Sequence, residues 1–205
     1  IAVRHGETAW NVDTRIQGQL DIGLNERGHW QAQRVAAALH EEPVAAIYTS
    51  DLARARETAE PLAAASGLPL AQDAGLRERG FGHFEGKTFT QVEADHPDDA
   101  RRWRERDVHF APAGGESLTV FYERTVVTFT RLAAAHPGEQ IAVFAHGGVM
   151  DMLYRTAANI ALTAPRTWQL GNTAINRVLY NGSGFSLVGW GDVQHLDVTA
   201  LDEGT

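Results

Sequence analysis

Ile1-Ala2-Val3-Arg4-His5-Gly6-Glu7-Thr8 opens the chain and carries the pattern of a buried strand that ends in a basic and a histidine side chain. The apolar triplet Ile1–Val3 lacks the period-two alternation of a half-exposed strand, as a strand covered on both faces does. Two later runs have the same character, Ala45–Tyr48 and Ile141–Ala145. Helical spacing fills the intervals. After Asn25, a good N-cap, Ala32, Val35, Ala36 and Leu39 recur on one face. Ser50 or Asp51 is the expected cap of a second helix to about Ala65, stopped by Gly67 and Pro69. Leu118, Phe121, Tyr122, Val126, Phe129 and Leu132 form one stripe of a long helix from near Glu116 to before Pro137. A further helix is expected after Gly148. Short buried strands alternating with helices predict an α/β fold of three layers, α/β/α, with a mostly parallel central sheet. The tail differs: 174–180 and 185–190 flank Asn181-Gly182-Ser183-Gly184 and read as a C-terminal β-hairpin.

The chain has 205 residues, 43% of them hydrophobic, which suits one domain with a real core. A single domain over 1–205 is expected, with about 87–115 forming a small helical cap or rim. Within that stretch Pro97 to Gly115 is the least core-like, with Arg101, Arg102, Arg104 and Arg106 beside Trp103 and Phe110. Those arginines read as a solvated face rather than a substrate clamp. The chain begins at Ile1 inside a strand rather than at Met, so the native N-terminus is expected further upstream. No run reaches the ~18 to 20 apolar residues of a membrane span. The net charge of -8 argues against nucleic acid and anionic membranes as partners. An anionic small molecule remains allowed, because exposed charges are screened beyond about 8 Å and a local arginine cluster outvotes the global sign. Cysteine is absent, which fits a reducing compartment, and a cytoplasmic location is the expectation. Monomer and homodimer are both compatible with the sequence.

In open α/β sheets, ligands bind beyond the carboxyl ends of the strands. Arg4-His5-Gly6 follows the first strand, Ser50-Asp51-Leu52-Ala53-Arg54 the second, and His146-Gly147-Gly148 the late one. Two histidines and at least two arginines are therefore expected on one rim. The neighbouring glycines let backbone approach an oxyanion. Helices starting after Ser50 and Gly147 would aim N–H groups at the same place. The arginine fork matches phosphate, and one contact at ~4 Å is worth about 4 kcal/mol at an effective dielectric of 20 before desolvation. The site reads as built for a phosphoryl dianion.

Four ordered blocks carry a resemblance. They are Arg4-His5-Gly6-Glu7, then Ser50-Asp51-Leu52-x-Arg54-Ala55-x-Glu57-Thr58, then Leu76-Arg77-Glu78 with Phe81-Gly82-x-x-Glu85-Gly86, and Ala145-His146-Gly147. Together they resemble the histidine phosphatase superfamily, the group of cofactor-dependent phosphoglycerate mutases and their phosphatase relatives. The closing Gly191-Asp192-Val193-x-His195 is similar to the small broad-specificity phosphatases of that group. The resemblance implies that His5 is a nucleophile that becomes phosphohistidine. It implies that Arg4, Arg54 and His146 bind the phosphoryl group, and that Glu78 is the general acid, then the base. Asn11, Gln17, Gly18 and Gly147 are carried over as substrate contacts. The other histidines, His29, His40, His83, His96, His109, His136 and His195, read as structural or solvated. Glu78 has the bland alternative of pairing with Arg77 or Arg79. No His-Glu-x-x-His spacing exists and no cysteine, so no metal site is expected and no cofactor is implied.

The expected function is hydrolysis of small phosphorylated metabolites through a phosphohistidine. The alternative is a mutase on phosphoglycerate, primed by 2,3-bisphosphoglycerate, which shares the first half-reaction. Mutases of the family generally carry a longer insertion before the Glu-Ser-Leu block. Here about 30 residues separate Gly86 from Glu116, which favours the phosphatase. A remote third reading, a phospho-ligand binding module without catalysis, conflicts with the retention of all five central residues.

Overall fold

This computed structural model describes residues 1–197. Its elements run β1 (Ala2–Arg4), α1 (Ala9–Val12), α2 (Glu26–Leu39), β2 (Val44–Thr49), α3 (Ala53–Ser66), β3 (Leu70–Gln72), α4 (Phe89–Asp95), α5 (Pro97–Arg104), α6 (Leu118–Ala134), β4 (Gln140–Ala145), α7 (Gly147–Ala158), β5 (Ile175–Tyr180) and β6 (Phe185–Asp192). Six strands form one sheet in the order β3-β2-β4-β1-β5-β6. The first four are mutually parallel, and β5 and β6 extend the β1 edge as the antiparallel hairpin.

Strand geometry divides the core. Successive side chains of a strand point to opposite faces. Ala142 and Phe144 of β4 accordingly pack with Val35, Leu39, Ala59 and Leu62 of α2 and α3. Val143 and Ala145 pack on the other side with Phe121, Phe129, Leu132, Met150 and Leu153 of α6 and α7. The three-layer expectation therefore holds. Asn25 caps α2 by accepting from the Gly28 N–H at 2.8 Å. Gly67 ends α3 at φ +69°, a left-handed conformation that glycine adopts without steric cost.

Two boundaries differ from expectation. Neither Ser50 nor Asp51 is the N-cap of α3. That place falls to Leu52, and the Ala53 N–H is satisfied across the chain by Asp21 at 2.7 Å. Asp51 is instead engaged by the Arg77 guanidinium through two bonds, at 2.7 and 2.5 Å. Strand β3 was not foreseen, because three residues at a sheet edge are too few to show a period.

The segment after residue 86 is a small cap, and it is better packed than its composition suggests. Phe84, Val92, Ala100 and Phe110 are buried together. The Trp103 ring stacks on Phe84 at 5.4 Å and on Phe81 at 5.2 Å. Three of its arginines face outward onto neighbouring acids, Arg101 on Asp98 and Glu105, Arg102 on Asp107 and Arg104 on Glu93. Arg106, expected on the same solvated face, turns inward to the Leu162 carbonyl and Asp151. No described helix is long and apolar enough to cross a membrane.

Candidate active site

Register brings the two histidines together. β1 and β4 are parallel neighbours with Arg4 opposite Ala145. The next residue on each strand is a histidine, and the His5 N–H donates to the Ala145 carbonyl at 2.9 Å. The His5 and His146 rings lie 5.3 Å apart between centroids. Both are buried. The His5 Nδ1 lies 2.7 Å from the Gly6 carbonyl, which can only accept. Nδ1 therefore carries the proton, and Nε2 presents its lone pair. Burial first, then the charges of Arg54 and Arg4, hold the His5 pKa well below the ordinary histidine value. Burial and Arg54 do the same to His146. Both imidazoles are thus neutral at physiological pH, and the cationic surroundings repel a metal ion.

The backbone around His5 is fixed from three sides. The Asn172 side chain donates to the His5 carbonyl at 2.9 Å. The Gly6 N–H donates to the Thr58 hydroxyl at 2.9 Å, and that hydroxyl donates to the Arg54 carbonyl at 2.6 Å. Asn172 and Thr173, whose N–H donates to the Arg4 carbonyl at 3.0 Å, escaped the sequence reading because they sit in a loop without periodicity. Thr58 ends the Ser50–Thr58 motif, in which no local pattern announces this role.

Arg54 stands in the first turn of α3 and is fully buried. Its Nη1 donates to the Leu20 carbonyl at 2.9 Å and its Nη2 to Gly18 at 2.7 Å. Burial lowers its pKa to about 10, which leaves it cationic at neutral pH. Arg4 donates through Nη1 to the Leu170 carbonyl. The Nε atoms of both arginines, both ring nitrogens of His146 and the Gln17 Oε1 are buried without a protein partner. Buried polar groups are nearly always paired, so the free N–H donors of Arg4, Arg54 and one His146 nitrogen mark a ligand site, here for an anion. The Gln17 Oε1 is an acceptor and adds nothing to anion binding.

The expected substrate contacts divide. Gln17 supplies one of the free buried atoms. Gly18 works through its carbonyl on Arg54, at φ +52°, where a Cβ would lie 2.1 Å from Glu85 Oε1. Asn11 Oδ1 accepts from the Thr8 N–H at 3.0 Å and closes a capping box on α1. Gly147 makes room for Arg4, whose Nε would sit 3.3 Å from a Cβ there.

Glu78 is held by backbone rather than by a cation. Its Oε2 accepts from the Gly148 N–H at 2.9 Å, and its Oε1 from the Arg79 N–H at 2.8 Å. The expected pairing partners are engaged elsewhere, Arg77 with Asp51 and Arg79 with the carbonyls of Glu116 and Phe110. One N–H at the start of α7, expected to face the phosphoryl group, thus positions Glu78 instead. Arg124 braces the segment from behind. It grips Glu116 through Nε and Nη2 at 2.9 and 2.7 Å and donates to the Gly75 and Arg77 carbonyls at 2.9 Å. Gln19 donates to the Glu78 carbonyl at 3.1 Å. Arg124 and Glu116 were invisible as a pair because they are joined only by the start of α6.

Two hollows meet at Gly148 and Arg166. One, of about 420 Å³, is walled by Arg4, Gly147, Trp168 and Leu170. The other, of about 220 Å³, runs from Glu78 under the cap past Phe81, Trp103, Arg106 and Phe121.

The Histidine phosphatase superfamily (branch 1) model matches residues 1–193. The chain belongs to this family. It is 40% identical over 206 residues to "Phosphoglycerate mutase-like protein 4" of Arabidopsis thaliana, covering 98% of this chain and 88% of that one. Among solved structures, "Bacillus stearothermophilus YhfR" superposes with a TM-score of 0.89 at 31% identity, over 96% of this chain and 98% of that one. A mycobacterial glucosyl-3-phosphoglycerate phosphatase, solved with VO3, superposes with a TM-score of 0.79 at 32% identity, over 92% and 94%. The chain is an enzyme of the histidine phosphatase superfamily, and the resemblance carried by the four sequence blocks extends over nearly its whole length.

Proposed function

We propose that the protein hydrolyses small phosphate monoesters through a phosphohistidine at His5. The observation that carries the reading is the free Nε2 of a neutral His5 beside the unpartnered donors of Arg4, Arg54 and His146. In the first half-reaction the His5 Nε2 forms a bond to phosphorus as the ester P–O bond breaks. Glu78, in its acid form, gives its proton to the departing oxygen, which leaves as an alcohol. The phosphorylated imidazole carries positive charge, and its Nδ1–H remains on the Gly6 carbonyl. Arg4, Arg54 and His146 face the charge spread over the equatorial oxygens. In the second half-reaction the Glu78 carboxylate takes a proton from water, the water oxygen bonds to phosphorus, and the N–P bond breaks. His5 returns neutral, and no step calls on a cofactor.

Water is favoured as the acceptor by the cap. A mutase of this family grips its substrate's carboxylate with basic residues of a longer cap insertion. Arg101, Arg102 and Arg104 of this short cap are spent on its own acids, and Arg106 on Asp151. That leaves Arg166 beside the hollow without an ion pair among the described residues. The mycobacterial relative, named a glucosyl-3-phosphoglycerate phosphatase, supports the same choice. The test is a phosphate-release screen over a panel of monoesters, run beside a coupled mutase assay with and without 2,3-bisphosphoglycerate. Phosphate release from several small esters without mutase turnover is expected. Turnover of phosphoglycerate isomers that outpaces phosphate release would overturn the hydrolase reading.

A further inference from the structure

His83 belongs to the cap turn Gly82–Phe84, His96 joins α4 to α5, and Asp99 lies in the first turn of α5. Among the described residues they are the one trio of histidine and acid side chains whose ligand atoms all lie within 4.8 Å of one another. The catalytic reading gives them no task. We propose that His83, His96 and Asp99 form a transition-metal site, suited to zinc, that staples the cap.

Three features carry this. First, the His83 Nε2 is buried and has no hydrogen-bond partner, a costly arrangement for a ring nitrogen. Second, it lies 3.5 Å from Asp99 Oδ2. That is too long for a good hydrogen bond, yet it matches a tetrahedral edge, since zinc bonds of ~2.1 Å place neighbouring ligand atoms about 3.4 Å apart. The His96 ring, edge-on to His83 at 4.4 Å between centroids, supplies the third ligand. Third, the opposite nitrogen of His83 faces the Ala113 carbonyl at 3.4 Å. A carbonyl behind the ring is the usual orienting partner of a metal-bound histidine, and this one stands on the correct side of the ring at a long distance that a bound ion would shorten. All three residues are partly exposed, so an ion can enter. Two imidazoles and one carboxylate suit zinc and other divalent first-row metals better than calcium or magnesium.

The spacing His83-x12-His96-x2-Asp99 matches no metal motif read from sequence, so only the folded cap reveals it. The site sits beside the binding loop. The same cap turn leads to Glu85, whose carboxylate accepts from the Gln19 N–H at 3.0 Å and the Phe81 N–H at 2.9 Å. A metal that fixes the turn therefore steadies the loop that carries Gln17 and Gly18.

The test titrates zinc alone into tag-free, chelator-stripped protein by calorimetry, with cobalt absorption as a second probe. One equivalent of zinc should bind and raise the melting temperature, and cobalt should give the strong visible bands of a tetrahedral site. His83→Gln, His96→Gln and Asp99→Asn should each weaken binding at least tenfold. His5→Ala should leave it unchanged, which separates this site from the catalytic histidines. Asp99→Asn preserves side-chain shape, so its loss of binding with an unchanged far-UV spectrum is not attributable to misfolding. Absence of saturable zinc binding, or binding retained in all three cap variants, overturns the proposal.

Discussion

Gly148→Ala acts chiefly on the position of Glu78, with a lesser contact on Phe121, whose Cε1 would lie 3.1 Å from the new Cβ. A Cβ at this position lies 2.2 Å from Glu78 Oε1, and ordinary contact begins near 3.4 Å, so the carboxylate has to withdraw by about 1.2 Å. Displacing a reacting group by ~1 Å costs on the order of 100-fold in rate, which is about 2.7 kcal/mol in the barrier. The stability effects nearly cancel. Alanine in a helix gains up to ~1 kcal/mol over glycine, and the weakened Gly148–Glu78 hydrogen bond loses about as much. The assay compares kcat/KM on an alkyl phosphate, whose leaving alkoxide needs a proton, with that on p-nitrophenyl phosphate, whose phenolate scarcely does. The expected losses are ~100-fold on the alkyl ester and under about tenfold on the aryl ester. Glu78→Gln should show the same asymmetry. Equal losses on both esters, or no loss on either, would refute the assignment of Glu78 as the acid.

The neutral histidines predict a pH effect on stability. His5 and His146 are held well below the ordinary histidine value, chiefly by burial, so the unfolded chain takes up protons below about 6.5 that the native site refuses. The stability is full above that value and falls with acidification by about 1.4 kcal/mol per histidine per pH unit. Urea melts should therefore show stability falling between about pH 7.5 and 5.5, and His5→Asn should flatten part of that slope. A flat profile would contradict the buried neutral pair. Arg124→Ala removes a partly buried fork that ties Glu116 to the carbonyls before Glu78, and should cost ~2 to 4 kcal/mol in denaturant melts. It should also impair alkyl esters more than aryl ones, because the segment it braces carries the acid.

The parallel sheet and the paired histidines were legible because strand periodicity and strand-end chemistry are local signals. Ile1–Val3 and Ile141–Ala145 announce themselves as buried strands, and the residue after each strand end is found by counting. Arg54 followed from the same logic, though its helix cap did not. The cap of α3 comes from Asp21, more than thirty residues upstream, and no local pattern encodes a partner at that range. The bracing of Glu78 was hidden for the same reason. Gly148, Arg124, Glu116 and Gln19 come from separate segments and meet only when α6, α7 and the loop between α1 and α2 have packed. Gly18 was expected as a substrate contact, and its carbonyl accepts from Arg54, a role that no local pattern announces. The cap misled through composition. Its arginines suggested a solvated rim, and Arg101, Arg102 and Arg104 form one. Yet Arg106 turns inward to Asp151 and lines the hollow, and Phe84, Val92, Ala100 and Phe110 form a core beneath.

The central claim is that His5 takes the phosphoryl group. The most direct measurement quenches the enzyme during turnover of a ³²P-labelled monoester and maps the label on peptides. The account predicts acid-labile, base-stable phosphate on the peptide containing His5, absent from the correctly folded His5→Ala variant. Turnover by wild type with no protein-bound phosphate, or label that persists in His5→Ala, would contradict it.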